Sequence, residues 1–145
     1  MKKSKRIAAL IAAVLMAVTV FTSAMYVSAA TAIPKYVGDY SSSGYTISMY
    51  RSTSNVLVYA KTESKVKATR IATTILTTVV DKKGEQVAPV NVDKGVDNAT
   101  SSGVASVSST AKGGYKFTKV NIYQAALFNN TIVSPNPAVY TYPFS

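Results

Sequence analysis

The run Arg70-Ile71-Ala72-Thr73-Thr74-Ile75-Leu76-Thr77-Thr78-Val79-Val80 constrains this chain more than any other stretch. Alternation places Ile71, Thr73, Ile75, Thr77 and Val79 on one face and Ala72, Thr74, Leu76, Thr78 and Val80 on the other. Side chains branched at Cβ lose χ1 freedom against a helical turn but pack well on a pleated surface, so the run is a strand. The polar turn Asp81-Lys82-Lys83-Gly84-Glu85 follows, with glycine where a positive φ is expected, and leads into a hairpin arm at Gln86 to Asn91. Pro89 has no amide donor, which assigns that arm to a sheet edge.

The flanking sequence predicts further strands. Tyr45 to Tyr50 alternates, with Tyr45, Ile47 and Met49 on one face, and Val56 to Lys61 sets Val56, Val58 and Ala60 opposite Leu57 and Tyr59. Residues 92 to 102 are polar and glycine-containing, which predicts a loop. Val104 to Ser109 is a short strand ended by Gly113-Gly114. Tyr115 to Tyr123 sets Tyr115, Phe117 and Tyr123 against Val120 and Ile122. Asn129-Asn130 turns the chain between Ala125 to Phe128 and Thr131 to Val133, and Ser134-Pro135-Asn136-Pro137 turns it again into Val139 to Tyr142. Before all of these, residues 31 to 44 contain Pro34, Gly38, Gly44 and Ser41-Ser42-Ser43, the composition of a flexible lead-in segment. About seven to eight short strands with frequent turns predict an all-β fold over residues 45–145, an antiparallel β-sandwich of the immunoglobulin-like or fibronectin-like kind. Alternation alone leaves a barrel open.

Residues 1 to 30 have a different character. Lys2, Lys3, Lys5 and Arg6 form a basic head, an uncharged apolar run extends from Ile7 to Phe21, and Val27-Ser28-Ala29-Ala30 closes the stretch. That order is the pattern of a secretory signal peptide with a helical apolar region, cut after Ala29 or Ala30. The competing reading is an uncleaved anchor, because no charge occurs between Ile7 and Pro34 and a membrane helix needs about 20 apolar residues. Removing the leader leaves about 115 residues, the size of one domain, large enough to fold on its core without disulfides or metal. The full chain carries a formal charge of +10 and no cysteine; without the four basic residues of the head, twelve remain against six acids, a net of +6. That magnitude serves solubility and also draws a protein toward anionic surfaces. With no cysteine to carry lipid and no apolar, basic sorting tail, the expected destination is extracellular, with at most loose association with the cell surface.

The order of Val56-Leu57-Val58-Tyr59-Ala60, Val66-Lys67-Ala68-Thr69-Arg70-Ile71, the Lys83-Gly84 hairpin, the serine-rich stretch, Gly114-Tyr115-Lys116-Phe117 and the tyrosine-bearing end resembles a group of small exported proteins of Gram-positive bacteria. The resemblance spans roughly residues 45 to 142 and implies a β-sandwich of unknown function outside the cell. Many of those proteins are expected to carry a tryptophan near the central hairpin; this chain has none. The resemblance transfers no active site.

Chemistry is sparse in the sequence. With no histidine or cysteine, the familiar catalytic triads and thiolate or imidazole metal sites are excluded. Ser64-Lys65 and Ser109-Thr110-Ala111-Lys112 offer serine beside lysine, but their expected role is as solvated turn residues. Asp39, Glu63, Asp81, Glu85, Asp93 and Asp97 all fall in predicted turns or polar connections. Asp93-Lys94-Gly95-Val96-Asp97-Asn98 has a glycine among oxygen ligands, yet Lys94 and Val96 break the alternation of a calcium loop. Asn98-Ala99-Thr100 and Asn129-Asn130-Thr131 match a glycosylation pattern short enough to arise by chance.

The tyrosines are the stronger signal. Tyr36, Tyr40 and Tyr45 crowd one end of the mature chain, and Tyr140 and Tyr142 the other. Such rings pack while their hydroxyls bond, which suits sandwich packing with hydroxyls at the rim and also a surface for sugar or peptide. The expected function is a non-catalytic, cofactor-free domain that binds an anionic cell-wall polymer, a glycan or a protein. Nucleic acid is not expected as a partner, and membrane contact is expected only through the leader. A cationic secreted antagonist acting on other cells, as a bacteriocin does, is the alternative, although no long basic amphipathic segment supports it.

Overall fold

The computed structural model describes residues 34–98 and 103–144, with residues 88–91 described by their backbone alone. The expected leader, its cut at Ala29 or Ala30 and the Ala99-Thr100 part of the first glycosylation pattern lie outside the described residues. The strands are β1 (Lys35–Ser42), β2 (Tyr45–Thr53), β3 (Leu57–Glu63), β4 (Arg70–Val80), β5 (Gln86–Asp97), β6 (Val104–Thr110), β7 (Lys116–Phe128), β8 (Thr131–Val133) and β9 (Ala138–Thr141). Sheet A runs in the order β1-β2-β3-β6. Sheet B runs β5-β4-β7-β8, with β9 also paired to β7. All pairings are antiparallel. The described residues are therefore all-β and lie in two sheets, as expected of a β-sandwich.

Five local expectations are corrected. The lead-in segment contains β1, which pairs with β2 along its length. Ser43 and Gly44 take φ of 54° and 81°, the two positive angles of a type I′ hairpin turn whose twist matches the strands it joins. The polar stretch after Asn91 is not a loop through residue 97: β5 continues against β4 to Asp97, because ladder bonds use the backbone whatever the side chains are. Tyr115 to Tyr123 and Ala125 to Phe128 belong to one strand, β7. Phe117, Val120 and Ile122 all face the core, because Thr78 pairs with Lys119 while Val79 pairs with Phe117, and the extra residue Thr118 resets the alternation. Val56 lies outside β3 and is exposed.

Two apolar clusters fill the space between the sheets. The first contains Ile47, Met49, Ala68, Ile71, Ala105, Ala126, Phe128 and Val133. The second contains Val58, Ala60, Ile75, Val79, Phe117, Val120 and Ile122. Between them runs a polar belt. Arg51 Nε donates to Gln124 Oε1 (2.6 Å), and Gln124 Nε2 donates to the Lys61 carbonyl (2.7 Å) and to Thr62 Oγ1 (3.1 Å). Thr73 donates to the Ala105 carbonyl (2.8 Å). A hydroxyl has one proton, so in the Thr62–Thr73 contact of 2.7 Å it is Thr62 that donates. The belt thus has one consistent direction from Arg51 to Ala105 and ties sheet B to sheet A. By contrast, the Thr77 hydroxyl, inward on β4 and fully buried, has no hydrogen-bond partner.

The edges of the two sheets meet at β5 and β6, where a Cβ on Gly95 would overlap the Ser106 backbone. At the end that holds the second cluster, Phe117 N–H donates to the Asn55 carbonyl (2.7 Å) and Ala111 N–H to the Val56 carbonyl (2.8 Å). Among the described residues, both clusters and the belt are built from side chains of both sheets, so the two sheets share one core.

The outer faces follow from the registers. On sheet A, Tyr36 pairs with Tyr50, Tyr50 with Lys61 and Lys61 with Ser106, in a row turned away from the core. On sheet B, Val92 pairs with Leu76, Leu76 with Asn121 and Asn121 with Val139 in the corresponding row, and Lys94 pairs with Thr74 and Thr74 with Tyr123 in the next.

Candidate functional site

Three connections converge at the end of the molecule that holds the first cluster: the turn at Ser43-Gly44, the β3–β4 connection and the β7–β8 turn at Asn129-Asn130. The β3–β4 connection is braced from both sides. Ser64 N–H donates to the Gly103 carbonyl (3.1 Å). Its hydroxyl donates to the Val66 carbonyl (2.9 Å) and accepts from the Val66 N–H (3.3 Å). Thr69 N–H donates to the Leu127 carbonyl (2.7 Å), and its hydroxyl oxygen accepts from the Asn129 N–H (3.0 Å). Loops held this way lose little freedom when a ligand arrives.

A hollow of about 650 Å³ opens between these connections, lined by Gly44, Tyr45, Val66, Lys67, Ala68, Thr69, Phe128 and Asn129. A second hollow of about 160 Å³ shares Gly44, Tyr45 and Val66 and adds Asp39, Thr46, Ser48 and Lys65. Tyr45 stands between the two. Its ring stacks on Phe128 with centroids 4.4 Å apart and planes 9° from parallel, so the first cluster anchors the ridge that divides the site. Gly44 is required here by its positive φ.

Asp39 is the charged acceptor of the smaller hollow. The Gly38 bulge shifts the register between Tyr36 and Gly38 and brings Tyr36 and Asp39 to one face. The Ser48 hydroxyl and then the Tyr36 hydroxyl bond the Asp39 carboxylate and hold it below its ordinary value; loss of solvent opposes them, and Lys65 adds a lesser lowering. The same contact with Asp39 raises the Tyr36 phenol. Asp39 is therefore a stabilised anion that offers acceptor oxygens. The site combines an aromatic ridge, two lysines, one carboxylate and the hydroxyls of Thr46, Ser48 and Thr69.

The five tyrosines predicted as a surface are divided by the fold. Tyr45 forms the ridge, Tyr40 packs against the first cluster beside it, and Tyr36 reaches the smaller hollow through Asp39. Tyr140 packs against the second cluster instead, and exposed Tyr142 stands edge-on to Phe144 at 6.3 Å. The local basic cluster is also dispersed: Lys65 and Lys67 line the hollows, Lys61 lies over the Tyr50 ring at 3.8 Å, and Arg70 bonds Asn98 (3.0 Å). Phe128 carries no functional signal in the sequence and Asn129 only the short glycosylation pattern and a turn, since only the hairpin folds them back onto Tyr45.

Other expectations are corrected by position. Ser64 and Ser109 are buried rather than solvated. Of the carboxylates only Asp81 and Glu85 occupy a turn, where Asp81 Oδ1 accepts from the Lys83 and Glu85 amides (2.8 and 3.0 Å). Asp39, Glu63, Asp93 and Asp97 lie in strands. The segment examined for calcium is extended through Asp97, whose Oδ2 accepts from the Val104 N–H (3.1 Å). Among the described residues no group of three or more His, Cys, Asp or Glu side chains could hold a metal ion.

No family model, no curated protein and no solved structure matches the chain.

Proposed function

We propose that the protein is an exported, non-catalytic binding domain that holds an anionic envelope glycan at this loop end. The observation that carries the reading is the pair of braced hollows around Tyr45, with Lys65 on one side and Lys67 on the other. A sugar ring packs on an aromatic face while its hydroxyls bond neighbouring polar groups, and the lysines supply attraction for carboxylate or phosphate substituents.

The strand order supports an immunoglobulin-like or fibronectin-like assignment. Lettered in that scheme, β2-β3-β6 takes the places of A-B-E, and β4, β7 and β8–β9 those of C, F and G. β5 stays beside β4 as a C′ strand does, and β1 is an addition. The hollows then lie among the B–C and F–G connections, the end used for recognition in variable domains. This support is an analogy of architecture.

Calorimetric titration of residues 31–145 with anionic and neutral wall polysaccharides tests the proposal. Saturable binding to the anionic polymer is expected, weakened at least about tenfold by combined Lys65→Glu and Lys67→Glu, with Tyr45→Phe retaining the fold and most affinity. Binding that ignores both lysines, or no binding to either polymer, would reject it.

A further inference from the structure

The outer face of sheet B combines exposed aliphatic side chains with cations. In the row Val92–Leu76–Asn121–Val139, Val92 is 47% and Val139 57% exposed. Four strands at about 4.8 Å separation set those valines roughly 14 Å apart. Lys94 is two residues along from Val92 on β5, Lys119 two residues from Asn121 on β7, and Lys116 pairs with Val80 on the same face. Tyr123 is half-buried in the same row as Lys94, across Thr74.

All six acids of the chain lie elsewhere. Asp39 and Glu63 pair across to Ser48 on the outer face of sheet A. Asp81 and Glu85 form the β4–β5 turn. Asp93 pairs with Ile75 and Asp97 with Ile71, both core residues of β4, so these two carboxylates are on the inward side of β5. The face therefore holds Lys94, Lys116 and Lys119 without a side-chain carboxylate.

We infer that this face docks on an anionic lipid surface. A second copy of the chain would bring lysines against lysines. An anionic bilayer complements the charge, at little demand for a matched contour, and its boundary region accepts both short aliphatic side chains and long amphipathic lysines. Tyr123 suits the same boundary, with its ring toward the apolar side and its hydroxyl toward the headgroups. The domain then lies flat on its sheet B, a contact separate from the one expected through the leader.

The test is co-sedimentation of residues 31–145 with phosphatidylcholine vesicles and with vesicles of equal phosphatidylcholine and phosphatidylglycerol. Saturable binding to the anionic vesicles alone is expected. Lys94→Glu with Lys119→Glu should weaken it at least about tenfold, whereas Lys61→Glu on sheet A should change it less than about twofold. Val92→Ser with Val139→Ser should leave a weaker interaction that moderate salt abolishes. Thermal melting of each variant verifies the fold. Absence of binding to anionic vesicles overturns the inference. So does equal loss from Lys61→Glu and from Lys94→Glu alone, each a change of two charges, which reduces the effect to net charge. Full displacement by soluble polyphosphate, with the valine variant binding as well as the parent, also rejects a lipid surface, and capture of an acidic protein that competes with vesicles for the face would replace it.

Discussion

On the outer face of sheet A, Lys61 bonds Glu63 (3.2 Å) and lies over the Tyr50 ring, while Asp39 is bonded by Ser48 and Tyr36. On the outer face of sheet B, Lys94, Lys116 and Lys119 share the surface with Val92, Leu76 and Val139, and no carboxylate is among them. The first face satisfies its charges internally; the second offers its charges outward. A modest net charge thus becomes directional when the acids are confined to one sheet, a turn and the inward side of an edge strand.

The comparison presupposes that the sheets form one body, so the most severe way to break it is at the belt. Gln124→Ala should cost about 2–4 kcal/mol, since it removes the partner of the half-buried Arg51 Nε, takes the amide away from the Lys61 carbonyl and leaves a gap in the buried belt. Thr77→Val is the internal control with the opposite sign. It removes a buried hydroxyl that has no partner and should add about 1 kcal/mol. Urea denaturation of both variants would sink this account of the belt if the two shifted stability in the same direction.

The corner between β5 and β6 gives a smaller effect. Gly95→Ala places a methyl group against backbone that cannot rotate away and should cost about 1–3 kcal/mol. An unchanged melting temperature would show that the edges are not held this closely.

Least in magnitude is the pH response of sheet A. The Asp39 carboxyl is depressed from 3.8, so its contribution is present above that value and is lost as pH falls through the lower folded-state value. The Tyr36 phenol is raised from 10.0, so its contribution is present below that value and is lost as pH climbs through the raised one. In an NMR titration, Tyr36→Phe should move the Asp39 midpoint upward; a midpoint that stays in place would exclude the contact.

Much of the fold was legible because alternation is a local property. The two faces of Arg70–Val80, the edge position of the arm containing Pro89 and the turn at Asn129-Asn130 could each be read from a few neighbouring residues. Where legibility failed, pairing had overruled composition. Ser43-Gly44 looks like linker until β1 returns along β2, and Asp93 to Asp97 looks like loop until β4 supplies ladder partners. The Thr118 bulge leaves no mark in the sequence, because its only sign is the register opposite Thr78 and Val79. The candidate site was less legible still. Tyr45 and the lysines were visible, but Phe128, Asn129, Ser48 and Asp39 come from distant segments that only the hairpins and the bulge assemble.

Residue types alone dictate the strand-forming character of the chain, the lack of any disulfide, the excess of cations and the basic-then-apolar pattern of residues 1–30. These are matters of residue type and short-range order. Only the tertiary structure decided which threonine is wired and which is orphaned, which tyrosines share an end, and where the charge points. No long stretch of the sequence is basic and amphipathic by itself, whereas the basic, apolar face of sheet B is assembled from separate strands. The physical reason is that period-2 alternation assigns a side chain to a face, while sheet order and register decide which faces adjoin and which meet solvent.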